Sequence, residues 1–488
     1  MTKLLQNKRN ICNTVVFFTF SIVSFMLLTR TPLHPWVMSE AATDSSVFKT
    51  VSLMMHRGYM PYRDSFDHKG PLIYLINYIG DLLLPYSGVC IIEMVSLTVT
   101  LYILFRICRL FARVFPSVIV VGISISYLNQ FLEGGNLVEE YALPFISVSI
   151  YYFLDYFTNN RISNIRLVII GCSMGAVVLL RLNMIAVWMV FCIAVLVHNI
   201  HVGRVKSILI YLMWFCAGLL LFIVPFLLWM VFNDSIKYFI SDYLVFNSQY
   251  TAHYSSLYSV LKAAKYFFCE EPIYNITFFA MLYICCKNRN ILNISYIVFM
   301  ITTILMISMA GLIRNHYGMI LVPVIAYPFS MLFCDIEKNK NLILNAIMIL
   351  WAAFVFILPD SIGLMKNLYS VIKEEGYVDD NIRMICGIID EKVNENEPIT
   401  VYGNWDIIYV LSNRKHATKY SYQFPIAEVN PEILDEYYEE LSIDPPRCVV
   451  IQAGRYDERI HDYLIKYDYN KVSFENTPGD DTQVYIKR

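Results

Sequence analysis

Long apolar runs broken by short polar turns dominate the first three quarters of the chain, and their spacing predicts a bundle of membrane helices. A run from about Ile11 to Leu28 follows Lys3, Lys8 and Arg9. Basic residues before a first apolar segment favour a cytoplasmic N-terminus. The run is about eighteen residues, with no small-x-small cleavage pattern directly after it, and reads as an uncleaved helix. Further spans are expected at Val89–Ile107, Ser117–Leu132, Ala142–Phe157, Leu167–Leu180, Met184–Val197 and Ser207–Phe232. Two shorter runs flank Lys287 and Arg289, the second ending near Ile313; Gly318–Phe333 and Leu342–Leu358 complete a count of eleven. Lys and Arg recur at alternate turns (Arg106, Arg109 and Arg113; Arg161 and Arg166; Arg204 and Lys206; Lys338 and Lys340). That places the N-terminus inside and the chain beyond the last span outside.

Two polar segments and a tail interrupt this pattern. Residues 30–88 form a first outer loop, within which Pro71–Pro85 is apolar yet short. Fifteen helical residues rise about 22 Å, too little for a hydrocarbon core of about 30 Å, so a helix lying at the interface is expected. A second outer loop covers 233–272. From about Asp360 the alternation becomes that of a soluble domain: ITVYG, CVVIQ and QVYIK read as strands, and Asp380–Val393 and Pro431–Leu441 as helices. The expected organisation is therefore an α-helical polytopic membrane domain, 1–358, followed by a small extracytoplasmic α/β domain, 359–488.

Composition supports this placement. Of 488 residues, 57% are hydrophobic and 16% charged, against roughly 25% charged in soluble domains. The net charge of −2 offers no basic surface for nucleic acid. The twelve cysteines fall mostly in apolar runs and show no zinc or thioredoxin spacing. Whether Cys386 and Cys448 pair is open from sequence.

The chemistry gathers on the predicted outer side. The first loop holds Asp44, Asp67, His68 and Lys69, the last three in FDHKGPL. An ammonium on a flexible stem suits an anion, although a solvated turn has the same composition. Asp44, in ATDSSVF, is placed to act as an N-cap of the helical pattern VFKTVSLMMHRG, or as a base. Glu139 and Glu140 open a helix, where acids also serve the macrodipole. Arg181 lies between two apolar runs, a costly position unless it is paired or lines a wet cavity. Arg314, His316 and Tyr317 form one more outer turn. Acids and cations on one membrane face suit a reaction in which a base activates a hydroxyl while cations hold a leaving phosphate. No nucleotide-phosphate loop of the GxxxxGK[ST] type is present.

Taken together, the first-loop Asp, Gly-Tyr-x-Pro-Tyr-x-Asp, FDHKGPL, Glu-Glu-Tyr-Ala-Leu-Pro-Phe, LLRLN and Arg-x-His-Tyr resemble the GT-C glycosyltransferases. The likeness is to the bacterial branch related to protein O-mannosyltransferases and lipid A aminoarabinose transferases, and it covers about residues 11–358. It implies transfer of a sugar from a polyprenyl-phosphate donor to a hydroxyl of an envelope glycan, lipid or protein, outside the cytoplasmic membrane and with inversion. It further implies Asp44 as general base, Glu139 or Glu140 as a second-loop acid, and Lys69, Arg181 and Arg314 as donor-phosphate contacts. Asp67, His68, His316 and Tyr317 are the implied substrate contacts. Ser45 follows Asp44 where the mannosyltransferases have a second acid, so no metal-binding acidic pair is expected there. Lys69-Gly70-Pro71-Leu72 also replaces the family's common Lys-Pro-Pro-Leu. A flippase or transporter of lipid-linked glycans is the competing expectation, but it would place charge near the membrane midplane. A sensory protein would explain the tail but not the loop chemistry.

Overall fold

The computed structural model describes residues 2–338, 354, 357–373, 378–474 and 481–488. The chain forms two compact units that do not follow its order. The first comprises residues 1–31, 90–226 and 254–374; the second comprises 32–89, 227–253 and 375–488.

The first unit is helical throughout its described part. It contains α1 (Thr2–Leu28), α4 (Val89–Cys108), α5 (Val114–Asn129), α6 (Val138–Asn159), α7 (Asn164–Val178), α8 (Ala186–His201) and most of α9 (Val205–Phe232). Later come α12 (Leu257–Lys265), α13 (Pro272–Lys287), α14 (Ile291–Ser308), and a 3-10 stretch, Asn315–Ile325, that continues into α15 (Ala326–Lys338). Ten of the eleven expected spans coincide with helices. The eleventh, Leu342–Leu358, lies almost wholly outside the described residues. Among the described residues, four helices are long and apolar enough to cross a membrane: Val89–Cys108, Val205–Phe232, Ile291–Ser308 and Asn315–Ile336. Six further apolar helices are shorter, so length and composition do not by themselves give eleven crossings.

Close packing of these helices depends on small residues. A Cβ on Gly171 of α7 would lie 2.1 Å from the Phe215 carbonyl oxygen, and one on Gly218 of α9 would lie 2.1 Å from that of Val168. The two glycines thus let the backbones of α7 and α9 meet, the device by which apolar helices gain contact without a hydrophobic driving force. Asn160 ends α6 in the left-handed conformation (φ 53°), which Asn tolerates better than most residues.

The second unit combines α2 (Thr43–His56), α3 (Pro71–Leu83), α10 (Ile236–Phe239), α11 (Phe246–Tyr254, except its last residue) and the C-terminal α/β fold. Proline at the first helical position starts α3, where its missing N–H costs nothing. The sheet has the order β1 (Ile399–Tyr402), β2 (Cys448–Ile451), β4 (Gln483–Lys487), β3 (Tyr469–Val472). β1 and β2 are parallel and buried at every position, whereas β4 pairs antiparallel with both β2 and β3. The three strands read from sequence are present. The fourth, YNKV, is an edge strand with two exposed central residues, a pattern too short and polar to stand out. Helices Asp380–Lys392 and Glu432–Ile443 lie where expected, and Glu458–Lys466 was not anticipated. Cys386 and Cys448 are both free thiols, so the pairing left open above does not occur.

Candidate functional site

Each unit carries one cluster of the residues singled out from sequence. In the first unit, Val138 starts α6 and brings Glu139 and Glu140 into its first turn, 2% and 0% exposed. Their side chains diverge, as adjacent helical positions do by about 100°. Glu139 Oε1 accepts from Arg181 Nη1 at 2.6 Å, and Arg181 Nη2 donates to the Tyr317 hydroxyl at 2.7 Å. The guanidinium also lies 4.2 Å from the Tyr317 ring centre. Arg181 therefore has the partner its depth demands. Glu140 instead adjoins Glu93 of α4, which is fully buried and accepts from the backbone N–H of Asn136. On the neighbouring turn His316 Nδ1 is 2.9 Å from Glu133 Oε2, and Arg314 is exposed.

In the second unit the first loop is clasped on two sides by its own framework. From the segment after α9, the Ser235 hydroxyl donates to the Pro61 carbonyl (2.7 Å), the Asn233 carbonyl accepts from Arg63 (2.9 Å), and Asn247 donates to the His68 carbonyl (2.6 Å). From the C-terminal fold, the Lys419 carbonyl accepts from Phe66 N–H (2.8 Å), and His416 Nε2 meets the Ser65 hydroxyl at 2.9 Å. Lys419 itself pairs with Asp242 at 2.8 Å. Tyr62, fully buried and at φ 68°, takes a backbone conformation that is strained for a bulky residue. Its hydroxyl donates to the Lys69 carbonyl at 2.7 Å.

Within this frame Asp67, His68 and Lys69 do not point apart into solvent. Asp67 is 2% exposed; its Oδ1 accepts from the Tyr422 hydroxyl (2.9 Å) and His68 N–H (2.7 Å), and its Oδ2 from the Tyr74 hydroxyl (2.9 Å). Burial, and then the Asp67 charge, push the Tyr422 phenol well above its usual range, so it stays a donor. His68 stacks on Tyr250, with ring centres 5.3 Å apart, and its Nε2 is 3.2 Å from Lys69 Nζ. Lys69 is half-buried, its ammonium 6.0 Å from the Phe48 ring centre.

Asp44 is not the N-cap of α2. Ala42 holds that position without a side-chain bond, and Asp44 lies half-buried in the first turn. The helix begins two residues earlier than an N-cap at Asp44 would give. The Asp44 carboxylate is near enough to add to the field at the Tyr422 hydroxyl. Sequence reasoning missed Tyr74, Tyr422, His416 and Asp406. The last sits just after β1, where loops that follow strands often carry polar function. Burial pushes the Asp406 carboxyl up to about 7, against the hydroxyls of Ser421 and Thr50 and with a small addition from Asp67. Among the described residues no group of three or more His, Cys, Asp or Glu side chains is placed to hold a metal ion.

Comparison with known proteins adds a family and a fold. The family model described as the putative competence-induced protein Ccs4 N-terminal domain matches residues 4–343. No curated protein matches by sequence. Among solved structures, ArnT from Cupriavidus metallidurans bound to undecaprenyl phosphate superposes with a TM-score of 0.62 at 12% identity, covering 97% of each chain. The apo form of ArnT gives the same figures. The archaeal oligosaccharyltransferase AglB from Archaeoglobus fulgidus, in complex with an inhibitory peptide and a dolichol-phosphate, gives 0.55 at 12% identity, covering 98% of this chain and 74% of its own. ArnT and AglB are both GT-C members, and the chain shares their fold.

Proposed function

The chain belongs to the family of the putative competence-induced protein Ccs4 N-terminal domain, and we propose that it is a membrane glycosyltransferase using a polyprenyl-phosphate-linked sugar. The observation that carries this reading is the half-buried Lys69 ammonium, held against His68 beside the buried Asp67. A fixed cation of this kind suits a phosphate monoester or diester that must leave. The likeness in fold to ArnT, whose structure contains undecaprenyl phosphate, supports a lipid-linked donor over a nucleotide sugar.

In the proposed reaction an acceptor hydroxyl of an envelope glycan, lipid or protein attacks the anomeric carbon as the bond to the phosphate oxygen breaks. Asp44 takes the hydroxyl proton; the electron pair leaves with the polyprenyl phosphate, whose charge Lys69 stabilises. General-base catalysis contributes roughly 10²–10⁴-fold, and electrostatic stabilisation of the leaving group supplies much of the rest. Attack opposite the leaving group inverts the anomeric centre. Asp67, with its oxygens committed to Tyr74, Tyr422 and His68 N–H, is assigned to holding the loop. Arg181, committed to Glu139 and Tyr317, holds the start of α6. Arg314 and His316 are further candidates for contact with phosphate or sugar. We place the reaction on the outer face of the cytoplasmic membrane, as the Lys and Arg pattern implies, with eleven spans and an outer C-terminal fold. The chain's residues form no metal pair at Asp44-Ser45, and the mechanism uses none.

The test is release of polyprenyl phosphate from a panel of labelled lipid-linked sugars by the purified full-length protein in detergent or nanodiscs. Turnover of at least one donor, lost in Asp44→Asn, is the expected result. A flippase would instead move such a lipid across a sealed vesicle with its sugar bond intact.

A further inference from the structure

Asp67 lies at the start of a chain of contacts that ends on an amine. It is buried, and three donors hold its two oxygens. Its Oδ1 is also 3.5 Å from Nδ1 of His68. The opposite ring nitrogen, Nε2, is 3.2 Å from Lys69 Nζ. An ammonium carries only donors, so Nε2 accepts in this contact and the ring proton sits on Nδ1, on the side of the Asp67 charge, at a distance that is an electrostatic contact and not a hydrogen bond. The ring cannot turn freely: one face is stacked on Tyr250, and the His68 carbonyl is bound by Asn247. The Lys69 carbonyl accepts from the hydroxyls of Tyr62 and Tyr74. The remaining freedom is rotation and drift of the Asp67 carboxylate, which the Tyr422 hydroxyl opposes from the C-terminal fold.

We propose that Tyr422 is a positioning residue for the Lys69 ammonium, acting through Asp67 and His68. The C-terminal fold thereby takes part in the first loop's chemistry. Tyr422, 4% exposed to solvent, fixes one carboxylate oxygen; the carboxylate holds the His68 backbone N–H and its charge favours the ring proton on Nδ1; and the histidine lone pair on Nε2 fixes where the cation points. The consequence for the reaction rests on the reading of Lys69 as the donor-phosphate contact. The positioning itself does not.

The experiment compares full-length wild-type protein with Tyr422→Phe and, as a control, Tyr463→Phe. Tyr463 is buried in the same fold and donates to the Leu441 carbonyl (3.0 Å). Three quantities are read: thermal stability, the rate at which an amine-selective reagent modifies Lys69 by mass spectrometry, and donor KM and kcat. In Tyr422→Phe, Lys69 modification is expected to rise about threefold or more, and donor kcat/KM to fall about five- to tenfold, the scale of one hydrogen bond. Tyr463→Phe should change only stability. If Tyr422→Phe accumulates poorly, Asp67→Asn, which keeps the shape and removes the charge that links Tyr422 to His68, should raise Lys69 modification in the same way. Unchanged Lys69 modification in both variants, or an equal rise in Tyr463→Phe, overturns the proposal. Altered Lys69 modification with no change in donor kcat or KM keeps the positioning role and instead removes Lys69 from the donor phosphate.

Discussion

Glu139 and Arg181 form an ion pair of 2.6 Å between the first turn of α6 and the end of α7, with 2% and 19% of their side chains exposed. Removing one member of a buried pair typically costs about 3–5 kcal/mol because the other charge is stranded. The residual exposure of Arg181 places Glu139→Gln at the lower end, about 3 kcal/mol. The double change Glu139→Gln with Arg181→Met should be milder than the sum of the singles. A thermal-unfolding cycle on purified protein checks this, and additive losses would mean that the pair contributes no coupling.

Asp44→Asn separates capping from catalysis. Ala42, not Asp44, caps α2, so the change removes no N-cap, and the amide keeps the side chain's shape. Loss of the base should lower turnover by about 10²–10⁴-fold. Near-normal transfer by a protein of unchanged melting temperature would remove Asp44 from the proton's path.

Lys69→Met keeps most of the apolar stem against Phe48 and removes the charge. A charge-assisted contact is worth about 1.5–3 kcal/mol, which predicts donor use weakened about ten- to a hundredfold. Titration with undecaprenyl phosphate, followed by intrinsic fluorescence, measures the same loss without turnover. Unaltered binding would move the phosphate to another cation.

The helices were legible because apolar runs of the right length leave few alternatives, and because their turns carry Lys and Arg. The four-stranded sheet was legible only where both faces are buried, as in ITVY and CVVI. The loop's composition marked Asp67, His68 and Lys69, yet not what holds them: Tyr422 lies 355 positions away from Asp67, and nothing local in KYSYQF announces a carboxylate partner. Arg181 likewise demanded a counter-charge whose identity needed the packing of α6 against α7. The capping alternative for Asp44 fails for a local reason. Thr43 already has helical geometry, so the N-cap, Ala42, falls two residues before the side chain that looked suited to it.

The last prediction concerns pH and the C-terminal fold. Asp406 is fully buried, and burial is the main cause that raises its carboxyl to about 7 from a reference of 3.8. His416, also buried, is lowered to about 4 by burial, against its bond to the Thr418 carbonyl and the charge of Asp64. The two groups act in opposite directions. For Asp406 the folded state holds its proton more tightly than the unfolded chain, so its contribution is complete below about 4 and is lost as pH rises through 7. For His416 the unfolded chain takes up the proton first, so its contribution is complete above about 6.5 and is lost as pH falls through 4. Between about pH 4 and 6.5 the two trends therefore oppose and nearly cancel, and from about 6.5 to 7 only the Asp406 loss remains, so these groups make the unit weaken above about pH 6.5. Asp406→Asn keeps the neutral shape and should remove the weakening above about pH 6.5 and leave stability rising from about pH 4 to 6.5, a difference of a few kcal/mol at most. Hydrogen exchange of the β1 and β2 amides at pH 5, 6.5 and 8 reads the effect where it arises. Protection that falls equally with pH in wild-type and variant protein, after correction for intrinsic exchange, would place the sensitivity outside Asp406.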